Sequence, residues 1–134
     1  MGRARVRIIK RHLDLLTREA VSKARSRQRE IAGIMLDHGG VVGLLELHNV
    51  SRRRGRFDIR VADIRAKRAA ARELGSSVVG YFHSHIVSSA VPSPGDLAEA
   101  PSGQLMLIID TISREARLWR VHRGRAYAVG YTLV

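Results

Sequence analysis

Residues 78–85, Val78-Val79-Gly80-Tyr81-Phe82-His83-Ser84-His85, decide how the rest of the chain is interpreted. The first five form an apolar run rich in β-branched and aromatic residues, which predicts a buried β-strand. Residues two apart on a strand project from the same face. His83 and His85 should therefore direct both imidazoles to one point where the strand ends, with Ser84 turned away.

The segment after this strand supplies a third ligand for a metal ion. Ser93-Pro94-Gly95-Asp96 predicts a helix start with Ser93 at the N-cap and Pro94 at the first position, and such a start holds the Asp96 carboxylate rigidly. Three ligands, His83, His85 and Asp96, with one position left for water are typical of a catalytic zinc site. The chain has no cysteine, which a closed structural site usually contains.

A histidine pair alone is also compatible with two partly buried, hydrogen-bonded side chains. The combination with Asp96 favours the metal. The four other histidines have no partner at a useful spacing and are left out of the site: His12, His38, His48 and His122.

A hydrolytic metal also requires a general base, a carboxylate within hydrogen-bond reach of the metal-bound water. Periodicity does not choose among the 12 acidic residues. Glu30 stands out because it immediately precedes the apolar run 31–36, where a charge is poorly tolerated unless it is used. Gly33, three residues further on, allows a close approach of the backbone. Taken by itself, Glu30 is more commonly the polar end of a helix.

The remaining pattern predicts a mixed sheet with helices packed against it. A helix is expected over 13–28, and two strands at 31–36 and 41–47 are joined by a Gly39-Gly40 hairpin turn. The other expected elements are a short strand at 57–59, a helix over 61–74 that Gly75 ends, a short helix from Pro94, and strands near 105–110, 116–121 and 127–133.

Length and composition favour a single domain, residues 1–134, of ordinary globular character. No apolar run approaches the ~20 residues of a membrane span, and the basic N-terminus lacks a signal-peptide core. The cytoplasm is therefore the expected location, and no membrane partner is expected. The absence of cysteine excludes a disulfide framework.

The charge of the chain is strongly positive, with 24 Lys and Arg against 12 Asp and Glu, for a net charge of +12. No Lys or Arg lies between Glu73 and Ser113, the window that contains the whole predicted metal site. A cationic surface around an uncharged cleft attracts acidic proteins or nucleic acid, although a solvated, arginine-rich surface explains the composition as well. Only 4% of residues are aromatic, so bases would find few stacking partners.

The spacing of these residues resembles that of the JAMM (MPN-plus, JAB-domain) zinc metalloproteases. The shared pattern is a glutamate that opens an apolar strand with glycine three residues on, here Glu30 and Gly33. His83-Ser84-His85 follows, and then come seven residues, a serine, two residues and an aspartate. The resemblance covers nearly the whole chain. It implies an α/β fold, a three-layer α/β/α sandwich with a mixed β-sheet of the cytidine-deaminase-like type. It also implies zinc (Zn2+) on His83, His85 and Asp96, Glu30 as the base, and Ser93 as a hydrogen-bond donor to the oxyanion.

Two positions depart from the family pattern, and neither is a ligand. Ile86 stands where most members have proline, and Ala32 stands where small prokaryotic members often have cysteine. Only residues 97–103 separate Asp96 from the next expected strand, so the insertions of the large eukaryotic deubiquitinating members do not fit there. The chain therefore resembles the compact prokaryotic form, whose substrates are ubiquitin-like or sulfur-carrier proteins that end in Gly-Gly.

The resemblance leads to a zinc hydrolase that cleaves the peptide or isopeptide bond after a Gly-Gly tail, with Glu30 activating a zinc-bound water. A nucleic-acid-associated module of RadC-like character is the alternative, and a pseudoenzyme scaffold is disfavoured because all the ligands are present. An acidic body of the substrate is expected to contact four arginines in the loop before the second helix: Arg52, Arg53, Arg54 and Arg56. The sequence leaves the oligomeric state open.

Overall fold

Eight strands and three helices follow one another in the computed structural model of the chain, which describes residues 5–51 and 57–134. In chain order they are β1 (Val6–Ile8), α1 (Lys10–Arg27), β2 (Ala32–His38), β3 (Val41–Leu47), α2 (Val61–Glu73), β4 (Ser77–His85), α3 (Pro94–Glu99), β5 (Leu105–Asp110), β6 (Ala116–His122), β7 (Arg125–Val129) and β8 (Tyr131–Leu133).

The strands form one sheet in the order β7-β6-β5-β4-β2-β3-β1-β8. The pairs β1–β3, β1–β8 and β4–β5 are parallel and the others are antiparallel, so the predicted mixed sheet is confirmed. Only Gly130 separates β7 from β8, yet the two strands lie at opposite ends of this order. The last segment of the chain therefore bonds to both β6 and β1, and the sheet curls back on itself.

Helices cover both faces of this sheet, which confirms the predicted three layers. On one face, Leu13 and Leu16 of α1 pack into a buried cluster with Phe82 and Leu107. On the other face, Met106 and Ile108 of β5 pack against α3. The helix α2 lies on this same side, because Ile64 of α2 lines one cavity together with Met106. Adjacent residues of β4 and β5 thus serve different faces, as the alternation of a strand requires.

Most predicted elements are present, and two predictions are wrong. The strand predicted over 127–133 is interrupted at Gly130, whose carbonyl accepts a hydrogen bond from the Val6 N–H at 3.3 Å. Residues 57–59 form no strand, because the Asp58 N–H bonds the Asn49 side chain at 2.9 Å and the Phe57 ring packs on His83. The short strand β1 was not predicted.

The β2–β3 hairpin and Gly33 bring the start of β2 against the middle of the sheet. Gly39 and Gly40 form the predicted turn with φ of 61° and 86°, values that glycine adopts without steric cost. A side chain at Gly33 would collide with the Leu45 carbonyl and the Phe82 ring. The expected close approach at Gly33 is therefore confirmed, and it keeps β2 in register with β4, where Ala32 pairs with His83.

No helix within the described residues is long and apolar enough to span a membrane.

Candidate metal centre

His83 and His85 lie at the end of β4, and their Nε2 atoms are 3.1 Å apart. Both side chains are buried on the face of the sheet that α3 covers. Ser84 between them faces the opposite way, as predicted, and its Oγ accepts a hydrogen bond from the Ile31 N–H at 2.9 Å. The strand alternation therefore brings the two imidazoles to one point.

The backbone around His85 fixes which of its ring nitrogens faces this point. Nδ1 lies 2.7 Å from the Ser89 carbonyl oxygen, which can only accept, so Nδ1 carries the proton. Nε2 of the neutral ring then has a lone pair directed toward His83. The His85 carbonyl itself accepts a hydrogen bond from the Thr111 Oγ1 at 3.0 Å, which ties the end of β4 to the end of β5.

The Asp96 carboxylate reaches the same point from the start of α3. Its Oδ2 lies 3.1 Å from the Nε2 of His83 and 3.0 Å from the Nε2 of His85. The helix start is a capping box, because the Ser93 Oγ accepts from the Asp96 N–H at 3.1 Å while Asp96 Oδ2 accepts from the Ser93 N–H at 2.9 Å. The predicted N-cap at Ser93 is confirmed.

The electrostatics of this cluster favour an ionised Asp96. Burial opposes the charge on Asp96, but the hydrogen bonds from His83 and His85 outweigh it and hold the pKa of Asp96 well below its ordinary value. Burial dominates at His83 and lowers its pKa, which favours the neutral imidazole that binds metals. At His85 burial is outweighed by the hydrogen bonds to Asp96 and Ser89 and by the Asp96 and Glu30 charges, which raise its pKa.

Glu30 lies between α1 and β2 and is buried, with 4% of its surface exposed. One carboxylate oxygen of Glu30 and one ring nitrogen each of His83 and His85 lie within 4.8 Å of one another. Its carbonyl accepts a hydrogen bond from the Asn49 Nδ2 at 2.9 Å, and the next residue is tied to Ser84. The backbone around Glu30 is therefore held on both sides.

The two histidines with either carboxylate form a group that could hold a metal ion. The distances between the ligand atoms of His83, His85 and Asp96, 3.0–3.1 Å, are close to the roughly 3.3 Å edge of a tetrahedron with zinc bonds of about 2.0–2.1 Å. A bound cation would take the place of the protons in the hydrogen bonds that join His83 and His85 to Asp96, since neutral imidazoles and a carboxylate all offer it lone pairs. The side chains present therefore fit zinc.

Two contacts near this cluster join residues that the sequence pattern does not single out. The Phe57 ring stacks on the His83 ring, with centroids 4.4 Å apart and planes inclined by 22°. Asn49 Oδ1 accepts from the Ser51 N–H and the Asp58 N–H, so that one side chain holds both ends of the loop that leads to Phe57. The asparagine beside the arginine-rich loop is the one sequence feature that could have indicated these contacts. Its hydrogen bond to Glu30 spans 19 residues, however, and such a long-range bond leaves no local sequence pattern.

The remaining candidate residues are distributed as follows. Ser93 is exposed beside Asp96. The loop arginines Arg52, Arg53, Arg54 and Arg56 lie outside the described residues. The histidines left out of the site have other surroundings: His12 accepts from the Leu44 N–H, His38 contacts Ser76, His122 contacts Ser102, and His48 is exposed.

A mixed α/β fold with two histidines and two carboxylates converging at the end of its central strand defines a metalloprotease-like class of protein. Comparison with family models then gives the particular family. Residues 12–122 match the Prok-JAB family, the prokaryotic homologues of the JAB domain, and the chain belongs to this family. A comparison with curated proteins gives no match.

Solved structures share the fold at low sequence identity. A protein from Desulfitobacterium hafniense is similar with a TM-score of 0.79 and 17% identity, over 96% of this chain and 92% of that one. A JAB1/MPN domain protein from Archaeoglobus fulgidus has a TM-score of 0.61 and 16% identity, over 97% and 100%. A structure described as JAMM, a metalloprotease-like zinc site in the proteasome and signalosome, has a TM-score of 0.55 and 16% identity, over 96% and 99%. The expected compact prokaryotic JAMM/MPN family member is thereby confirmed.

Proposed function

We propose that the protein is a zinc-dependent hydrolase that cleaves the peptide or isopeptide bond after the Gly-Gly tail of a ubiquitin-like or sulfur-carrier protein. One observation carries the proposal: His83, His85 and Asp96 direct three ligand atoms to one point, with the buried Glu30 carboxylate close by. The family match supports a protein substrate. Glycines without side chains suit a narrow cleft, in which an extended tail can lie along a strand.

Glu30 is proposed as the general base, with Asp96 as the third ligand. The Asp96 Oδ2 is at ligand-to-ligand distance from both histidines. Zinc, when bound, polarises the scissile carbonyl and lowers the pKa of its water. Glu30 takes a proton from the water that attacks the carbonyl carbon and returns it to the amine nitrogen as the C–N bond breaks. The hydrogen bond from Asn49 to the Glu30 backbone keeps this carboxylate in place.

Ser93 is proposed to donate a hydrogen bond to the oxyanion of the tetrahedral intermediate. Its Oγ already accepts from the Asp96 N–H, which leaves the hydroxyl hydrogen for donation. Because the residue is exposed next to Asp96, the hydroxyl lies on the side that a substrate approaches. A donor fixed in this way costs little reorganisation when charge develops.

Metal stoichiometry tests the ligand set. The purified protein is expected to hold about one zinc per chain, the content of a catalytic site. His83→Ala should lose it, because two ligands remain, while His122→Ala, a change at an exposed histidine outside the site, should keep it. Elemental analysis measures all three. Equal zinc in His83→Ala and the wild type, or none in a metal-loaded wild type, contradicts the assignment.

Substrate cleavage tests the reaction. A ubiquitin-like or sulfur-carrier protein extended beyond its Gly-Gly should be cut after the second glycine. A chelator should abolish the reaction and added zinc should restore it. Mass spectrometry of the products identifies the bond. Cleavage that persists in excess chelator contradicts a metal-dependent hydrolase.

A nucleic-acid-associated role is the second candidate, and the net charge of +12 favours it. Arg65, Arg68 and Arg72 are exposed along α2, where they would reach phosphates. Tight DNA binding with a steep salt dependence, in a protein that cuts no Gly-Gly-linked substrate, would support this role instead.

A further inference from the structure

A cavity of about 280 Å³ opens beside the candidate metal centre, between the β4–β5 face of the sheet and the helices α2 and α3. His83 and Asp96 form one end of it, and Met106 and Val121 lie at its floor as buried residues. Its volume is just below the roughly 300–1,000 Å³ of pockets that hold drug-sized ligands. The cavity therefore suits one side chain of a substrate.

The lining of this cavity combines apolar walls with negative charge. Phe57 and Ile64 add to the apolar surface, and the acidic side chains Asp58 and Glu99 stand exposed at the rim. Neither acid forms an ion pair within the part of the chain that the structure describes. Among the described residues, no Lys or Arg lines the cavity, although Arg68 contacts the Tyr81 hydroxyl at 3.4 Å.

This lining is unusual in a protein with a net charge of +12. Arginines line each of three other described grooves. The difference follows from the sequence, because most of the cavity comes from the window between Glu73 and Ser113 that contains no Lys or Arg. Of these described grooves, the cavity beside the metal centre is therefore the one that attracts a cationic side chain.

The cavity also contains a hydrogen-bond acceptor that needs a donor. Gln104 lines it, and the Gln104 Oε1 is buried without a hydrogen-bond partner among the described residues. Buried polar atoms are normally paired, so such an atom indicates a missing partner. A side chain with an apolar stem and N–H donors at its head, lysine or arginine, matches the walls, the rim and this acceptor.

The position of Glu30 indicates which part of the substrate enters. As the proposed base, Glu30 must reach the leaving nitrogen. The cavity is lined by His83 and Asp96 but not by Glu30 or His85, so it extends away from the leaving group and toward the acyl side. The two glycines on that side carry no side chain and span roughly 7 Å when extended. The residue before Gly-Gly is the first that can fill the cavity.

We infer that the cavity between α2, α3 and the β4–β5 face binds the side chain of the residue that precedes Gly-Gly, and that it selects lysine or arginine there. This inference rests on the proposed function, since it assumes cleavage after Gly-Gly. It adds a specificity determinant formed by Glu99, Asp58, Ile64 and Gln104.

A series of peptide amides, acetyl-Ala-X-Gly-Gly-aminomethylcoumarin with X as Arg, Lys, Ala or Glu, tests it on the zinc-loaded protein. The expected kcat/KM is about tenfold or more higher for Arg than for Glu, because two rim acids attract one and repel the other. Cleavage of all four at equal rates overturns the inference and leaves the proposed function intact. If none is cut while the same tails on a carrier protein are also resistant, both fall.

Matched variants locate the preference in the cavity. Glu99→Gln should lower the Arg-over-Ala ratio roughly two- to fivefold, the scale of one exposed ion pair. Glu115→Gln removes an exposed acid outside the cavity and should leave the ratio unchanged. Ile64→Phe should narrow the cavity and lower kcat/KM for the Arg peptide toward the value for the Ala peptide. Val61→Phe, on the exposed part of the same helix, should leave the two values unchanged. Equal effects of either matched pair contradict the assignment.

Binding gives a readout that does not depend on turnover. The product peptides acetyl-Ala-Arg-Gly-Gly and acetyl-Ala-Glu-Gly-Gly are titrated into isotope-labelled Glu30→Gln protein by NMR. The Arg peptide should bind more tightly and shift the amide signals of Glu99 and Gln104. Equal affinity of the two peptides, or shifts confined to other surfaces, overturns the inference.

Discussion

The carboxylate of Glu30 is buried beside two imidazoles, a position that costs free energy unless the charge has a partner or a use. Neighbouring residues hold the backbone around Glu30 by hydrogen bonds. Ser84 bonds to Ile31 with both its N–H and its hydroxyl, and Asn49 bonds to the Glu30 carbonyl. One distant strand, β4, and the loop at Asn49 therefore hold the backbone at Glu30 and Ile31, which is the kind of support that a catalytic base requires.

Glu30→Gln should separate metal binding from chemistry. The amide keeps the size of the side chain but cannot accept a proton, so zinc content and fold should persist while turnover falls roughly 100-fold or more. Elemental analysis and kcat measure the two effects. The control variants are Glu46→Gln, at a residue that pairs with Lys23, and Glu73→Gln, at the exposed end of α2. An active Glu30→Gln with either control inactive would mean that another carboxylate is the base.

Ser93 has a structural role as the N-cap of α3 and a proposed role in catalysis, and substitutions distinguish them. Ser93→Ala removes the cap, at a cost of about 0.5–2 kcal/mol in unfolding free energy, and the proposed donor, at a cost of about 100-fold or more in kcat. Ser93→Asp and Ser93→Asn should restore the stability without restoring the activity. Thermal unfolding and kcat are measured on each. Full activity of folded Ser93→Ala would reduce the residue to a cap.

At the scale of elements, α1 is attached to the sheet by a side chain as well as by its apolar face. Met35 pairs with Leu44 across β2 and β3, but β1 pairs with β3 only at Val42. The Leu44 N–H instead donates a hydrogen bond to the His12 Nδ1 at 3.1 Å. Burial, with a smaller contribution from the Arg11 charge, lowers the pKa of His12 below 6.5.

This contact makes stability depend on pH in a stated direction. Since the folded-state pKa lies below the unfolded value, the unfolded chain binds a proton first as the pH falls. The contribution of His12 is fully present above pH 6.5 and is lost as the pH falls below it toward the folded pKa. Denaturant midpoints between pH 8 and pH 5 in excess chelator should fall more steeply for the wild type than for His12→Leu. Parallel curves for the two proteins contradict the role.

Elements with a local signature were predictable, and contacts between distant segments were not. The alternation in β4 placed His83 and His85 on one face, and the Ser93-Pro94 start predicted the cap of α3. By contrast, residues 57–59 resemble a strand in composition, but Phe57 stacks on His83 instead. That stacking depends on how the Asn49 loop closes, which is a tertiary contact without a periodic pattern. Residues 127–133 are likewise strand-like throughout in composition. Gly130 interrupts them because the two halves pair at opposite ends of the strand order, β7 with β6 and β8 with β1.

At the scale of the whole molecule, the basic residues are separated along the chain from the segment that forms the centre of the sheet. The basic residues lie before Glu73 and after Ser113, and the window between them supplies β4, α3 and β5. A long-range positive field thus surrounds a site whose own cavity is rimmed by carboxylates. Such a field raises the rate of encounter with an acidic partner without determining what fits the cleft.

The arginine loop is predicted to act on this encounter. Replacing Arg52, Arg53, Arg54 and Arg56 with Ser should raise KM for a Gly-Gly-extended carrier protein and weaken its salt dependence, while kcat changes little. The matched control replaces four exposed arginines of α1, with the same loss of charge: Arg11, Arg18, Arg25 and Arg27. Steady-state kinetics at several salt concentrations compare the two. If both sets of substitutions raise KM equally, the total charge of the protein attracts the substrate and the loop has no special role. If the loop substitutions lower kcat as strongly as they raise KM, the loop acts on the site itself. The latter result would be explained by two contacts next to this loop. Asn49 bonds both the Glu30 carbonyl and the Asp58 N–H, and Phe57 stacks on His83.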